Sequence, residues 1–331
     1  MLSKRFEKTG DIHDIHLAIK LAKIAVEATP REYHGRRARL RSNLGNFLSL
    51  RFQWTGNTEN MDDLHRAVEV SEAAEANMAI TNKAIANITV AAITLSDPDR
   101  AAITLSDLDR AAILSTLGTA LGKRYEWTES MKDLERALTV AEMALEVTPL
   151  DHPADRADRF SNLRNLLRWR FERTGKMEHI QDAVKVAEQS VEVESLDLIR
   201  RACSWSNLGN ILGRRFERFK SIDDLDHAIK VVELAVDAIS NEDPRQARRW
   251  SSLGTLLNWR FEQTKNPNDM NRAVDFAYIA AETTPKGHAN QAANLNSLGI
   301  SLSRRFEHTN ALIDMEESLD AFKRGWNSPN A

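Results

Sequence analysis

The hydrophobic positions of this 331-residue chain recur at a fixed distance. Seven times an arginine is followed directly by an aromatic residue, and these pairs begin at Arg5, Arg51, Arg124, Arg170, Arg215, Arg260 and Arg305. Successive pairs lie 45 or 46 residues apart, except for the 73 residues between Arg51 and Arg124. A fixed period of this length predicts a stacked repeat protein, in which each unit buries its apolar face against its neighbours.

The residues before each pair predict a helix, which we call helix A. In six copies an alanine is followed six residues later by a leucine, four residues later by a second leucine, and four residues later by the aromatic residue. These steps keep one face of a helix apolar. A glycine follows the first leucine in five copies: Gly45, Gly118, Gly209, Gly254 and Gly299. Because glycine disfavours a helix interior by about 1 kcal/mol relative to alanine, we expect a second helix to cross closely there.

That second helix, helix B, is predicted after a short turn that follows each Arg–aromatic pair. It carries an alanine column: Ala18, Ala67, Ala137, Ala183, Ala228 and Ala273. Its start has a capping residue and, three positions later, an aspartate: Asp14, Asp63, Asp133, Asp224 or Asp269. We interpret this aspartate column as a capping box that recurs in every unit. Each unit is therefore predicted to be an antiparallel helix pair.

Two copies of helix A carry a more specific pattern. Trp205-x-x-Leu208-Gly209 and Trp250-x-x-Leu253-Gly254, each ending in a further leucine, resemble the helix A signature of the tetratricopeptide repeats. The resemblance implies an all-α, right-handed α-solenoid of about seven helix pairs, with a concave groove lined by helix A. The period of about 45 residues exceeds the family's usual period of about 34, and looks most like the tandem arrays of large fungal proteins. We expect residues 1–331 to form a single solenoid.

The long interval indicates an insertion at about residues 79–106. Within it, residues 91–100 recur almost exactly as residues 101–110, with Pro98 replaced by Leu108, so we infer a tandem duplication. A longer helix B followed by a loop is the favoured interpretation. A functional insertion is the alternative, since long loops sometimes carry function.

Composition excludes several classes of function. The net charge of -3 gives no global field that would favour nucleic acid or an acidic membrane surface. Cys203 is the only cysteine, which excludes a disulfide framework and a cysteine-based zinc site. We therefore predict a cytoplasmic protein with neither nucleic acid nor membrane as a partner.

The sequence contains no pattern typical of a catalytic site, and we predict neither enzyme activity nor a cofactor or metal. The acidic pairs Asp62-Asp63 and Asp223-Asp224 resemble metal-binding aspartates of helical prenyl-transfer enzymes, but their recurrence in a capping position favours a structural role. An α/α-toroid enzyme with an acidic metal site is the alternative. His13 and His16 lie on adjoining turns of one unit, where a solvated helix start is the better interpretation.

The recurring arginine lies close to the buried stripe, because it follows the first leucine by seven residues and is offset by about 20° around the helix. We expect its stem to pack in the core. Its guanidinium is predicted to pair with an acid at a helix B start, such as Asp63, Asp133 or Asp224, or with carbonyls at a helix end.

Binding residues are expected on the free face of helix A, which lines the groove in the resembled family. Two columns there are rich in asparagine: Asn43, Asn162 and Asn207 precede the first leucine, and Asn46, Asn165 and Asn210 follow it. Stacked carboxamides can pair with the backbone of an extended peptide. The alternative is that they fill solvated positions or hydrogen-bond the neighbouring repeat.

Further groove candidates are Arg168, Trp169, Arg214, Arg248 and Trp259. They make helix A basic, whereas helix B tends to be acidic, which favours a ligand with acidic side chains or a free carboxylate. Alternatively, these arginines and tryptophans cover gaps between helices. We conclude that the chain is a non-catalytic scaffold that binds a protein or an extended peptide, with a role as the sensor part of a larger assembly also considered. Self-association is a third hypothesis.

Overall fold

The computed structural model describes residues 2–55, 61–91, 105–193, 197–240, 243, 245–288 and 290–328. Those residues form fourteen α-helices and no strand. The first seven are α1 (Leu2–Thr9), α2 (Ile12–Ala28), α3 (His34–Thr55), α4 (Met61–Ala91), α5 (Asp107–Thr128), α6 (Met131–Val147) and α7 (Pro153–Thr174). The other seven are α8 (Met177–Val191), α9 (Leu198–Phe219), α10 (Ile222–Asp237), α11 (Gln246–Thr264), α12 (Pro267–Thr283), α13 (Gln291–Thr309) and α14 (Leu312–Trp326).

The helices group into two compact units, Met1–Thr174 and Gly175–Ala331. In the first unit, α1 pairs with α2, α3 with α4 and α5 with α6, and the A helices α3, α5 and α7 also contact one another in succession. In the second unit, α9 pairs with α10, α11 with α12 and α13 with α14, while α9, α11 and α13 form the corresponding row. The predicted all-α fold of stacked helix pairs is confirmed.

A bidentate ion pair joins the end of helix A to the start of helix B. Arg124 donates from Nε and Nη2 to the two carboxylate oxygens of Asp133 at 2.7 and 2.6 Å. The same two donors are used in six of the seven units, with the pairs Arg5–Asp14, Arg51–Asp63, Arg124–Asp133, Arg215–Asp224, Arg260–Asp269 and Arg305–Asp314. All six aspartates are buried. The predicted structural role of the recurring arginine is confirmed.

The aspartate column differs from the expectation in two respects. Its carboxylates are occupied by arginine, so the interpretation as a recurring capping box is wrong. At the start of α6, for example, Ser130 Oγ accepts from the backbone N–H of Asp133 at 3.4 Å, but the Asp133 carboxylate does not reach back. The fourth unit lacks the aspartate altogether, because His179 stands in its place, and Arg170 Nε instead lies 3.0 Å from Glu135 Oε1.

The aromatic residue of the Arg–aromatic pair forms contacts between layers. The ring of Phe6 meets that of Trp54 edge-on at 5.1 Å between centroids, and Phe52 meets Trp127 in the same way at 5.4 Å. In the second unit Phe261 meets His308 at 4.6 Å. Edge-to-face contacts of this kind add about 0.5–1.5 kcal/mol to the burial of the rings. The arginine therefore fixes helices within a layer, and the aromatic residue fixes one layer to the next.

The recurring glycine of helix A marks the predicted close crossing. A Cβ at Gly254 would lie 3.1 Å from the carbonyl oxygen of Ala273, and a Cβ at Gly118 would lie 3.5 Å from that of Ala137. Both carbonyls belong to the alanine column of helix B. The expected helix crossing at the glycine column is therefore confirmed at these positions.

The predicted insertion begins as a helix, and its last two residues, Leu105 and Ser106, are described as non-helical. α4 continues through Ala91 and has 31 residues, against 17 in α2 and in α6. The helical part agrees with the interpretation as a longer helix B, while residues 92–104, which include most of the first copy of the duplicated segment, lie outside the described residues. The insertion as a whole, and the single-solenoid organisation, stay predictions.

Removing one partner of the bidentate pair tests its contribution to stability. We expect Asp133→Ala to lower the free energy of unfolding by about 2 kcal/mol, because it leaves the largely buried guanidinium of Arg124 unpaired. Glu142→Ala, an exposed acid on the same helix, should change it by less than about 0.5 kcal/mol. Urea denaturation followed by circular dichroism measures both, and equal effects would contradict the assignment.

Adding a methyl group at the helix crossing tests the glycine column. A Cβ at Gly209 would overlap the side chain of Val232 and lie 3.2 Å from the carbonyl oxygen of Ala228. We expect Gly209→Ala to destabilise the protein by about 1–3 kcal/mol, although alanine is the better helix former by about 1 kcal/mol. Adding Val232→Ala should recover part of the loss if overlap is the cause. A Gly209→Ala variant that is more stable than the parent protein in the same urea assay would disprove the close approach.

Candidate functional site

A small cavity in the second unit lies between the A helices α9 and α11. Its volume is about 110 Å³. We call it the cationic pocket, and its lining residues are Cys203, Ser206, Asn207, Asn210, Val232, Arg245, Arg248, Arg249 and Ser252. α9 and α11 supply all of them except Val232, which comes from α10, and Arg245, which is the N-cap residue of α11. Three predicted binding residues, Asn207, Asn210 and Arg248, are thus brought together.

Arg249 forms the fixed wall of the pocket. It is only 4% exposed, which is unusual for an arginine. Its Nε donates to Ser206 Oγ at 3.2 Å, its Nη1 donates to Gln246 Oε1 at 3.2 Å, and its Nη2 lies 3.8 Å from Cys203 Sγ. All three partners are uncharged groups, so the positive charge of Arg249 is held in place without a direct ion pair among the described residues.

Arg245 pairs with an acidic residue beside the pocket, Asp243. Its Nε and Nη2 donate to the two carboxylate oxygens of Asp243 at 3.0 and 2.8 Å. These hydrogen bonds, the backbone N–H of Arg245 and the charge of Arg249 lower the pKa of Asp243 from 3.8 to about 2. Asp243 is therefore a carboxylate at any physiological pH and neutralises one of the three arginines.

Arg248 and the carboxamides form the more open side. Arg248 is exposed and makes no ion pair or hydrogen bond within the described part of the chain. Asn207 and Asn210 are half-buried, and Asn210 Oδ1 accepts from Ser252 Oγ at 3.3 Å across the two layers. The Asn210 hydrogen bond agrees with the alternative that these residues join neighbouring repeats. Both carboxamides are nevertheless partly exposed and accessible to a ligand.

The other predicted carboxamides lie in the first unit. Asn43 and Asn46 on α3 are exposed, and Asn162 and Asn165 on α7 are half-buried. All four remain accessible to a ligand, and their role in binding stays a prediction.

The two other predicted arginines have acidic neighbours on their own helices. Arg168 pairs with Glu172 at 2.5 Å, and Arg214 pairs with Glu217 at 3.1 Å. Each charge is therefore partly neutralised, which distinguishes these two arginines from Arg248. An acidic ligand would have to compete with a glutamate at either position.

The predicted tryptophans pack between layers. Trp169 contacts the ring of Tyr125 at 5.8 Å, and Trp259 contacts that of Phe216 at the same centroid distance. A Cβ at Gly122 would lie 3.3 Å from Trp169, so the small residue of one layer accommodates the tryptophan of the next. Both tryptophans are half-buried, which leaves part of each ring open to a ligand while the rest covers a gap between helices.

Sequence reasoning missed Arg245, Arg249 and Ser206 as pocket residues. The available signal was local: Arg245, Arg248 and Arg249 fall within five residues at the start of one helix A. A second missed column lies just before the helix A alanine. There Arg37 Nη1 donates to the carbonyl of Thr29 at 2.6 Å and Arg156 Nη1 to that of Thr148 at 2.9 Å, which caps the end of the preceding helix B.

Metal-ligand clusters and membrane-spanning helices are both absent from the described residues. Among the described residues, no group of three or more histidines, cysteines, aspartates or glutamates is placed to hold a metal ion. No helix in this part of the chain is both long and apolar enough to cross a membrane.

One family model matches part of the sequence. The family model for the tetratricopeptide repeat matches residues 110–154, which run from the start of α5 past the end of α6. No protein of curated function matches the sequence.

Several solved structures are similar in fold. A putative kinesin light chain from Podospora anserina, with nearly identical tetratricopeptide-like repeats, is 16% identical with a TM-score of 0.47, and the match covers 66% of this chain and 99% of that one. BtubC from P. vanneervenii is 16% identical with a TM-score of 0.48 over 80% of this chain and 91% of that one. The apo form of RapI is 11% identical with a TM-score of 0.47 over 96% and 97%.

The helix pair at residues 110–154 matches the tetratricopeptide repeat model, and helix pairs with the same helix A and helix B columns recur in both units. Proteins built in this way present extended surfaces for other proteins.

The titration of Asp243 tests the electrostatics of the pocket. Because its folded-state pKa of about 2 lies below the ordinary 3.8, the ion pair stabilises the protein above pH 3.8, and this contribution is lost as the pH falls towards 2. We expect the carboxylate carbon of Asp243 to titrate near pH 2 by NMR, and Arg245→Ala to move the midpoint upwards. A midpoint near 3.8 in the parent protein would contradict the pairing.

Proposed function

We propose that the protein is a non-catalytic scaffold that binds an acidic segment of a partner protein along the A helices, with the cationic pocket as the principal contact. One observation carries the proposal. The pocket brings the predicted residues Asn207, Asn210 and Arg248 together with Arg245 and Arg249, and places carboxamide donors and acceptors beside guanidinium groups. Arginine forks bind carboxylates well, and carboxamides bind peptide backbone.

Charge supports an acidic ligand. Arg249 is buried beside uncharged partners, and Arg248 is exposed without an acidic partner in the described residues. Among the described residues, Arg245 is the one pocket arginine that pairs with a carboxylate, that of Asp243. Two of the three positive charges are thus available to a ligand. Acidic side chains of a partner segment would neutralise them.

The remaining predicted residues are proposed as secondary contacts. Asn43, Asn46, Asn162 and Asn165 would contribute hydrogen bonds on the A helices of the first unit. Arg168 and Arg214 would contribute less than Arg248, because Glu172 and Glu217 already pair with them. Trp169 and Trp259 would offer the exposed parts of their rings.

The alternative from another class is an enzyme with an acidic metal site. Its candidate aspartates, Asp63 and Asp224, each bind an arginine through both carboxylate oxygens. This arrangement supports a structural role for them. A cytoplasmic location and a role as the sensor part of a larger assembly remain part of the proposal, and the single cysteine supports the former.

Self-association stays the third hypothesis. It would occur through exposed ends of the array or through the insertion, and the helix α14 exposes Leu312, Ile313 and Trp326. Exposed apolar groups of this size are typical of contact surfaces.

Peptide binding tests the proposal. We expect fluorescence anisotropy to detect peptides rich in Asp and Glu, and to detect their Asn and Gln counterparts more weakly. Arg248→Ala should lower the affinity for the acidic peptides roughly tenfold, since a hydrogen bond to a charged group contributes about 1.5–3 kcal/mol. Asn210→Ala should lower this affinity less, because a neutral hydrogen bond contributes about 1 kcal/mol.

Arg218→Ala is the matched control, because Arg218 is an exposed arginine in the last turn of α9 and does not line the pocket. It should leave the affinity unchanged. Equal binding of acidic and neutral peptides, or an Arg248→Ala variant that binds like the parent protein, would overturn the proposed function.

A further inference from the structure

We propose that the cationic pocket binds the phosphate group of a phosphorylated serine or threonine in the partner segment, in preference to a carboxylate. This inference rests on the proposed function and specifies the chemistry of its principal contact. It rests on the three arginines and on the pocket volume.

The local charge matches a dianion. Arg245, Arg248 and Arg249 line the pocket, and the carboxylate of Asp243 neutralises Arg245 through two hydrogen bonds. The remaining formal charge of these four described residues is therefore +2. A phosphoserine carries about -1.5 to -2 at pH 7, whereas an aspartate or a glutamate carries one negative charge. A single carboxylate would leave either the buried guanidinium of Arg249 or the exposed one of Arg248 uncompensated.

The donors are pre-organised on one side and adaptable on the other. Arg249 is fixed by Ser206 and Gln246 at 3.2 Å each, so little side-chain entropy is lost when it binds an anion. Arg248 is exposed and unpaired within the described residues, and can close over a bound group. Ser252 and Asn210, already hydrogen-bonded to each other at 3.3 Å, add neutral polar groups for the third phosphate oxygen.

The start of α11 already has an acidic side chain beside it. Its first turn contains no acidic residue, and its N-cap residue, Arg245, gives no side-chain cap. The Asp243 carboxylate, however, accepts from the backbone N–H of Arg245 at 2.8 Å and so complements the positive end of the helix dipole. The preference for a dianion therefore rests on the arginines and not on the helix end.

The pocket has room for one side-chain group and not for a peptide segment. At about 110 Å³ the pocket is well below the several hundred Å³ of a typical ligand cleft, and admits one compact side-chain group. The bound segment itself would lie outside, along the A helices. This geometry is why we assign the phosphate to a modified side chain of a protein and not to a larger phosphorylated molecule.

The test compares three capped pentapeptides, Gly-Gly-X-Gly-Gly, in which X is phosphoserine, aspartate or serine, with inorganic phosphate as a fourth probe. Binding to the full chain is measured by NMR shifts at constant ionic strength. At pH 7.5 we expect the phosphoserine peptide to bind at least about tenfold more tightly than the aspartate peptide, since it has about twice the charge, and more tightly than inorganic phosphate. Arg248→Ala should remove most of this preference, and Arg218→Ala should not.

The pH dependence gives a second readout. The second phosphate ionisation has a pKa of about 6, so affinity for phosphoserine should fall roughly tenfold from pH 7.5 to pH 5. The aspartate peptide should change little, because its carboxyl has a pKa of about 3.9. Among the described residues, the other charged or titratable groups at the site are the three arginines, Asp243 and Cys203, while α10 supplies the apolar Val232.

Equal affinity for phosphoserine and aspartate, or a preference that survives Arg248→Ala, would overturn this inference and leave the proposed acidic-peptide function standing. A phosphoserine peptide that binds no better than inorganic phosphate would overturn the assignment to a protein side chain. Failure of every acidic and phosphorylated peptide to bind would overturn the proposed function together with the inference.

Discussion

The bidentate ion pair between an arginine at the end of helix A and an aspartate at the start of helix B is the interaction on which six of the seven repeats depend. It fixes the sharp reversal of the chain at two points, Nε and Nη2, and so sets the angle between the two helices. Because the aspartate is buried, loss of either partner would leave an unpaired charge and destabilise the fold. The pair acts more as a constraint on geometry than as a source of net stability. The close crossing at the glycine column and the aromatic contacts between layers both require that geometry.

With the helix pairs fixed in this way, the surfaces between neighbouring A helices can vary from layer to layer. Ser42 Oγ donates to Thr116 Oγ1 at 3.1 Å between α3 and α5, and Asn258 Nδ2 donates to Ser301 Oγ at 2.7 Å between α11 and α13. Between α9 and α11 the equivalent region holds Arg249 against Ser206 and leaves a cavity. The invariant columns are thus structural, and the variable ones create a site of distinct chemistry in one layer.

Much of this organisation follows from the sequence because it depends on local periodicity. Steps of six, four and four residues define helix A, and the glycine at position 254 requires a nearby backbone whatever the rest of the fold. The pairing of Arg215 with Asp224 was also predictable, since both lie near the turn that joins their helices. The error over the capping box arose because an aspartate three residues into a helix can serve either a cap or an arginine, and only the position of the guanidinium decides.

The pocket was predictable only in part. Asn207, Asn210 and Arg248 belong to columns on the free face of helix A, but their convergence with Arg245 depends on a loop conformation that sequence periodicity does not specify. There Asp243 accepts hydrogen bonds from Arg245, which is the N-cap residue of α11. Likewise, the burial of Arg249 depends on the neighbouring layer.

Hydrogen–deuterium exchange of the full chain, with and without a saturating acidic peptide, tests most directly whether a partner segment binds at this place. We expect slower exchange of the backbone amides at residues 203–210 and 245–252, where α9 and α11 face the pocket, and little change at the exposed surface of α10 and α12. Protection confined to the B helices, or spread evenly over both units, would contradict binding at the cationic pocket.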